Sequence, residues 1–283
     1  MADCADTSTM SDISSTDYKK TISNLFDTLK SVHDLCASLT EAQFKTPTQC
    51  PGWSVQDNLS HLIGTEKSMG GHGSTTHRAT SLEFIKNPIG EMNEHEVDAR
   101  RSLSGTEVLK EFDQVMATRR AELESAPDEY FTKETMTPMG KNTMAEFLQI
   151  RVMDCWVHEQ DMRRALNIPG NQNSASAATT VSRLCRTLPI VVGKRAATPE
   201  GSSVIIHITE PIAREIAITV INARATVVAQ LSNPPVMELF FDSNTFVELA
   251  TGRATANETR ARWKVTGDTD LGERVVSSIN MMI

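Results

Sequence analysis

The stretch Thr143 to Leu166 reads TMAEFLQIRVMDCWVHEQDMRRAL, and its pattern decides how the rest of the chain is read. Thr143 and Glu146 stand in capping-box spacing, and the chain reaches Ile168-Pro169-Gly170 just after Leu166, so the segment predicts a helix with both ends marked. From Phe147 to Val157 it is apolar nearly all round, as expected of a helix covered on most sides. Set into that run are Arg151 and Asp154, with His158 and Asp161 just beyond. At about 100° per residue, these side chains fall within roughly 80° of one another. An unpaired buried charge costs several kcal/mol, so this stripe must meet a counter-ion, a metal or a water-filled cleft.

Working outward, the 283 residues leave room for two domains of ordinary size. A hydrophobic content of 39% and a charged content of 23% are those of a soluble globular chain. The formal net charge of -8 argues against a nucleic-acid partner, because no excess of Lys and Arg exists to displace counterions from phosphates. No apolar run approaches the ~18 residues needed to span a bilayer, so no membrane partner is expected. Residues 1–15 are polar and acidic, without the basic and apolar regions of a signal peptide, and read as a disordered tail. Five scattered cysteines (Cys4, Cys36, Cys50, Cys155, Cys185) form no C-x-x-C pair and suit free thiols in a reducing, cytoplasmic compartment.

Apolar residues three and four apart predict a first helix over Asp17 to Leu39. Ser54 caps a second, running to about Glu66, with Val55, Leu59, Leu62 and Glu66 along one side. His61 falls on its other, polar stripe with Asp57, Asn58 and Thr65. Gly70 to Ser81 reads as a loop whose histidines, His72 and His77, are solvated. Asn93 to Ser102 reads as a short charged helix and Thr106 to Ser125 as a longer one, with Arg119, Arg120 and Glu122 facing outward. Ala126 to Asn142 reads as an irregular connection. Four main helices in about the first 165 residues make a bundle.

After Pro169-Gly170 a helix, about Ala175 to Leu188, leads into β-branched segments at Ser203 to Thr209, Glu215 to Ile221, Ala225 to Gln230, Val236 to Phe241 and Ala261 to Val265. Helices are expected at Ser243 to Ala250 and Asp270 to Met281. The class is therefore α plus α/β in two domains: a helical bundle over 16–168 and a small α+β domain, mostly antiparallel, over 174–283.

Asp154 and His158, four apart on one helical face, can converge on one atom, and bundle metal sites are built from such groups on facing helices. His61 would supply a third ligand. Two nitrogens and one oxygen suit Zn²⁺ or a similar divalent ion and leave a position open. Arg151 and Asp161 would then face substrate or steady the ligands. The same spacing serves a plain hydrogen-bonded Asp–His pair, with Arg151 neutralising Asp154. Cys155 and Cys50 read as inert, Trp53 as a plug for the bundle end, and Trp156 as packed away from the stripe.

Cys50-Pro51-Gly52-Trp53-Ser54-Val55-Gln56-Asp57-Asn58-Leu59-Ser60-His61-Leu62, followed by Ile150-Arg151-Val152-Met153-Asp154-Cys155-Trp156-Val157-His158-Glu159-Gln160-Asp161, resembles the mycothiol-dependent maleylpyruvate isomerase family. The likeness continues through Asn93-Glu94, Ala250-Thr251-Gly252-Arg253 and Gly267-Asp268, nearly the whole chain after the tail. It implies a DinB-like four-helix bundle binding a divalent metal, usually zinc, through His61, Asp154 and His158. The characterised isomerase has Glu, one methylene longer, where this chain has Asp154. It also implies a small sterol-carrier-like α+β domain shaping a thiol cleft, with Arg253 as a contact for the thiol cofactor, mycothiol or a similar small thiol. The implied function is thiol-dependent isomerisation of, or S-transfer to, a small electrophile, by a monomer or homodimer. Two other readings stay open: a non-catalytic small-molecule or lipid-binding protein with the bundle as scaffold, and an interaction module whose stripe is an ion-pair network.

Overall fold

The computed structural model describes residues 18–281, so the expected tail over 1–15 lies outside the described residues. Helix α1 (Tyr18–Cys36) buries Ile22, Leu25, Phe26, Leu29, Val32 and Leu35, the residues whose spacing predicts it. A four-residue α2 (Glu41–Phe44) follows, and then α3 (Val55–Met69). Ser54 accepts from the Asp57 N–H while Asp57 returns the bond to the Ser54 N–H, which fixes where α3 begins.

The next helix differs from expectation. α4 spans Pro88–Asp98 and not Asn93 to Ser102. Asn87 caps it through the Gly90 N–H, and Pro88 occupies the first turn, where its missing N–H costs nothing. α5 (Gly105–Ser125) starts at a second capping box, Ser104 with Glu107. The connection expected to be irregular holds a short α6 (Asp128–Thr132) and a hairpin of β1 (Glu134–Thr137) and β2 (Gly140–Thr143). Gly140, at φ 99°, adopts a conformation that L side chains avoid.

The long helix α7 is Met144–Leu166, and its C-cap Asn167 is left-handed at φ 53°. Only half of the expected capping box forms. Thr143 accepts from the Glu146 N–H, but the Glu146 carboxylate turns to Arg183 at 2.9 Å. α8 covers Ala175–Cys185, short of the expected Leu188, because Pro189 has no N–H to offer the Cys185 carbonyl. The chain passes through α9 (Leu188–Ile190) and a wider turn, Val191–Arg195, before the sheet.

Strands β3 (Ser203–Thr209), β4 (Arg214–Ile221), β5 (Arg224–Val228), β6 (Met237–Asp242) and β7 (Trp263–Gly267) lie in the order β5-β4-β3-β6-β7. Every neighbouring pair is antiparallel except β3 with β6. α10 (Ser243–Ala250) follows β6, and α11 (Thr269–Ser277) follows β7, four residues short of the expected Met281. The expected class, a helical N-terminal region followed by an α+β region, is the observed one.

Two apolar cores organise the molecule. One is built from α1, α3, α5 and the inner face of α7. The other lies under the sheet and takes in Trp156 and Val157 from the opposite face of α7. Serving both cores explains why α7 is apolar nearly all round. Among the described residues, no helix is long and apolar enough to cross a membrane.

Candidate metal centre

The Ser54 cap sets the phase of α3 so that Asn58, His61 and Thr65 face α7, where Asp154 and His158 stand one turn apart. His61 Nε2 lies 3.0 Å from Asp154 Oδ2, and His158 Nε2 lies 3.6 Å from Asp154 Oδ1. One donor atom from each residue falls within 4.8 Å of the others. An ion bonded at about 2.0–2.1 Å in tetrahedral geometry holds its donors roughly 3.4 Å apart, so the residues fit such an ion. The aspartate reaches across to α3 without the extra methylene of a glutamate.

The far nitrogens fix the rings. His158 Nδ1–H donates to Asn58 Oδ1 at 2.7 Å, which leaves Nε2 with its lone pair on the Asp154 side. His61 Nδ1 is 3.5 Å from Thr65 Oγ1, a hydroxyl oxygen able to accept from the ring N–H when Nε2 offers its lone pair. Trp53, expected to plug the bundle end, instead walls the site. Its ring lies 5.2 Å from His61 and 5.7 Å from His158, and its Nε1–H donates to Glu94 at 2.9 Å.

Burial dominates the electrostatics. It pushes His61 down to about 4, against the opposing pull of Asp154, so the ring is neutral, the form that binds metals. Burial would raise Asp154, but the Arg151 guanidinium outweighs it and holds the carboxyl well below its usual range. Arg151 bonds Asp154 Oδ2 through Nη1 and Glu66 Oε1 through Nε at 2.9 Å.

Arg119, expected on the outer face of α5, is turned inward with only 2% exposed. Its Nε approaches Glu66 Oε2 at 3.3 Å, because the buried Glu66 needs both guanidinium groups. The isolated carboxylate on the apolar side of α3 was the available signal for Glu66. Arg119 had none, since its neighbours on α5 suit either face. The Asn58 contact was signalled by its place on the polar stripe.

One turn beyond His158, Asp161 is fully buried and lies 3.4 Å from His158 Nδ1. Arg253 holds it at 2.8 Å and Arg164 at 2.7 Å. Arg253 therefore crosses from the α+β region to α7 and is committed to an ion pair. Cys50 lies near this group, its thiol pushed up to about 12 by burial against the pull of Arg253. Cys155 is buried and raised still further. His72 and His77 stay exposed, paired with Glu122 and Asp98.

Residues 26–163 match the family described as the mycothiol maleylpyruvate isomerase N-terminal domain. Among solved structures, the chain is similar to the mycothiol-dependent maleylpyruvate isomerase in a histidine-to-alanine mutant. That match has a TM-score of 0.52 and 13% identity, over 88% of this chain and 92% of that one. The unsubstituted isomerase gives a TM-score of 0.49 and 14% identity over 84% and 90%. An uncharacterized protein from Clostridium difficile 630 gives 0.42 and 16% over 54% and 97%. At 13% identity the first of these likenesses is one of fold. No curated protein matches the chain.

Proposed function

Residues 26–163 belong to the mycothiol maleylpyruvate isomerase N-terminal domain family, and on that premise we propose that the chain is a metal-dependent enzyme that activates a small thiol for attack on a small electrophile. The observation that carries this reading is the convergence of His61, Asp154 and His158 from two helices, with both rings steadied from behind. Those three residues would hold a divalent ion, zinc by the preference of two nitrogens and one carboxylate oxygen. When bound, such an ion lowers the pKa of a coordinating thiol and so supplies a thiolate at neutral pH.

The chain's own groups do the rest. Arg151 keeps Asp154 ionised and oriented. Asn58 sets the tautomer of His158, and the Thr65 hydroxyl can accept from His61 Nδ1. Trp53 and the surrounding core exclude water and strengthen every charge interaction inside. Asp161 holds Arg253 at the junction with the α+β region, and we assign to that guanidinium the contact with a polar part of the thiol. The thiol is mycothiol or one like it, and the reaction is isomerisation of an activated double bond or S-transfer. We assign the metal-binding unit to residues 16–168 and the cleft-shaping unit to 174–283, in a cytoplasmic monomer or homodimer.

Elemental analysis of the purified protein tests this directly. Close to one divalent ion per chain is expected, lost in His61→Ala and in His158→Ala. A thermal-shift series with mycothiol, glutathione, bacillithiol and ergothioneine then identifies the thiol. Absence of metal, together with no rise in melting temperature on adding Zn²⁺, Mn²⁺ or Ni²⁺, would sink the proposal.

A further inference from the structure

Beneath the triad, alternating charges run through the middle of the bundle. Arg151 commits each nitrogen: Nη1 to Asp154, Nε to Glu66 Oε1 at 2.9 Å, and Nη2 to Cys155 Sγ at 3.4 Å. Glu66 Oε2 faces Arg119 Nε at 3.3 Å. Arg119 Nη1 donates to Glu122 Oε2 at 2.5 Å, and Glu122 Oε1 meets the exposed His72 at 2.5 Å. Glu66, Arg119 and Arg151 are 0%, 2% and 3% exposed, so three ions lie side by side out of water.

Stability does not account for this arrangement. Apolar side chains of the same volume would pack as well or better in place of buried ions. Arg119 Nη2 is buried with no hydrogen-bond partner among the described residues, which adds to the cost. What the arrangement supplies is position and charge. Glu66 shares α3 with His61, and Arg151 shares α7 with Asp154 and His158. The Glu66–Arg151 bond therefore pins the two metal-facing helices against each other just below the triad. Arg151, already neutralised by Glu66, can orient Asp154 without cancelling its charge. Glu122, part-exposed at the outer end, shares Arg119 with Glu66, so Glu66 can serve Arg151 while Asp154 keeps one oxygen turned to the histidines.

We propose that Glu66 is a positioning residue for the metal centre: through Arg151 it orients the Asp154 carboxylate, holds α3 in register on α7, and so sets the affinity of the triad for its divalent ion. This rests on the reading of the triad as a metal site. Removing a partner that steadies a metal ligand typically weakens binding about 10- to 100-fold.

The test is Zn²⁺ affinity by chelator competition, with melting temperature recorded in parallel. Glu66→Gln keeps the shape and loses the charge, and is expected to weaken binding about 10- to 100-fold. Glu66→Asp keeps the charge and loses the reach, and is expected to weaken it less. The control, Glu248→Gln, breaks the ion pair of the buried Glu248 with the exposed Arg262 (both bonds 2.9 Å) in the α+β region. It should lower the melting temperature and leave affinity within about twofold. Unchanged affinity in Glu66→Gln overturns the proposal, as does equal weakening in Glu248→Gln. If Glu66→Gln does not fold, wild-type affinity in Glu66→Asp overturns it instead. A wild-type chain that binds no ion overturns the metal reading itself, a distinguishable outcome.

Discussion

Asp154 is the residue on which the site depends, because Arg151, His61 and His158 all approach its two oxygens. Asp154→Asn keeps the shape and removes the anion that faces both histidines, so Zn²⁺ binding should fall at least about 10-fold by chelator competition. His61 makes a separate prediction for the metal-free protein. Burial holds it at about 4 against 6.5 for a free ring, so between those values the unfolded chain binds a proton that the native chain refuses. Stability is therefore full above pH 6.5 and is lost as pH falls toward 4, by on the order of 3 kcal/mol. Urea denaturation across that range should show the loss, and His61→Gln should remove most of it. The thiols are simpler. Burial pushes Cys36, Cys50 and Cys185 up to about 12, so all three stay protonated at neutral pH. Iodoacetamide should modify them in the native protein far more slowly than in urea.

At the scale of elements, the caps and the close helix contacts place the site. Ser54 starts α3, and its replacement by Ala should cost about 1 kcal/mol in chemical denaturation. Where α3 meets α4, a Cβ on Gly64 would lie 2.6 Å from the Glu96 Cβ. Gly64→Ala must therefore push α4 outward, at about 1–3 kcal/mol, also read by denaturation. Elements with strong local signals were legible. α10 occupies its expected residues, Ser243–Ala250, between a capping Asp242 and Gly252. Elements that depend on weaker cues were misread. The β1–β2 hairpin has four-residue strands, too short to show a period, and the start of α4 hung on an Asn-Pro pair inside a loop-like stretch.

At the scale of the molecule, α7 joins two cores. Trp156 and Val157 belong to the core under the sheet, while Val152 and Cys155 belong to the bundle. Thr28 and Ser176 add a buried hydrogen bond of 2.7 Å between α1 and α8. Arg253 binds Asp161 across the same junction, and Arg253→Ala leaves that buried carboxylate with Arg164 as its one guanidinium partner, beside the His158 ring. Breaking a buried pair costs about 3–5 kcal/mol, so the variant should lose stability of that order in denaturation. Residues 1–168 made alone should bind a hydrophobic dye such as ANS, because Trp156 and Val157 lose their cover.

The sequence by itself determined the long helices, their caps, the charged stripe of α7 and the facing polar stripe of α3. Those features follow from spacing and backbone chemistry within a few residues. His61, Asp154 and His158 could be named as candidates because each stands on such a stripe. Only the tertiary structure decided that Arg119 points inward, that Glu66 lies between two arginines, that Trp53 walls the site, and that Arg253 is held by Asp161. It also decided that β3 pairs in parallel with β6. The physical reason is common to all of these. Whether an ion can be buried, or a strand edge satisfied, depends on a partner distant in sequence, and packing alone brings that partner within reach.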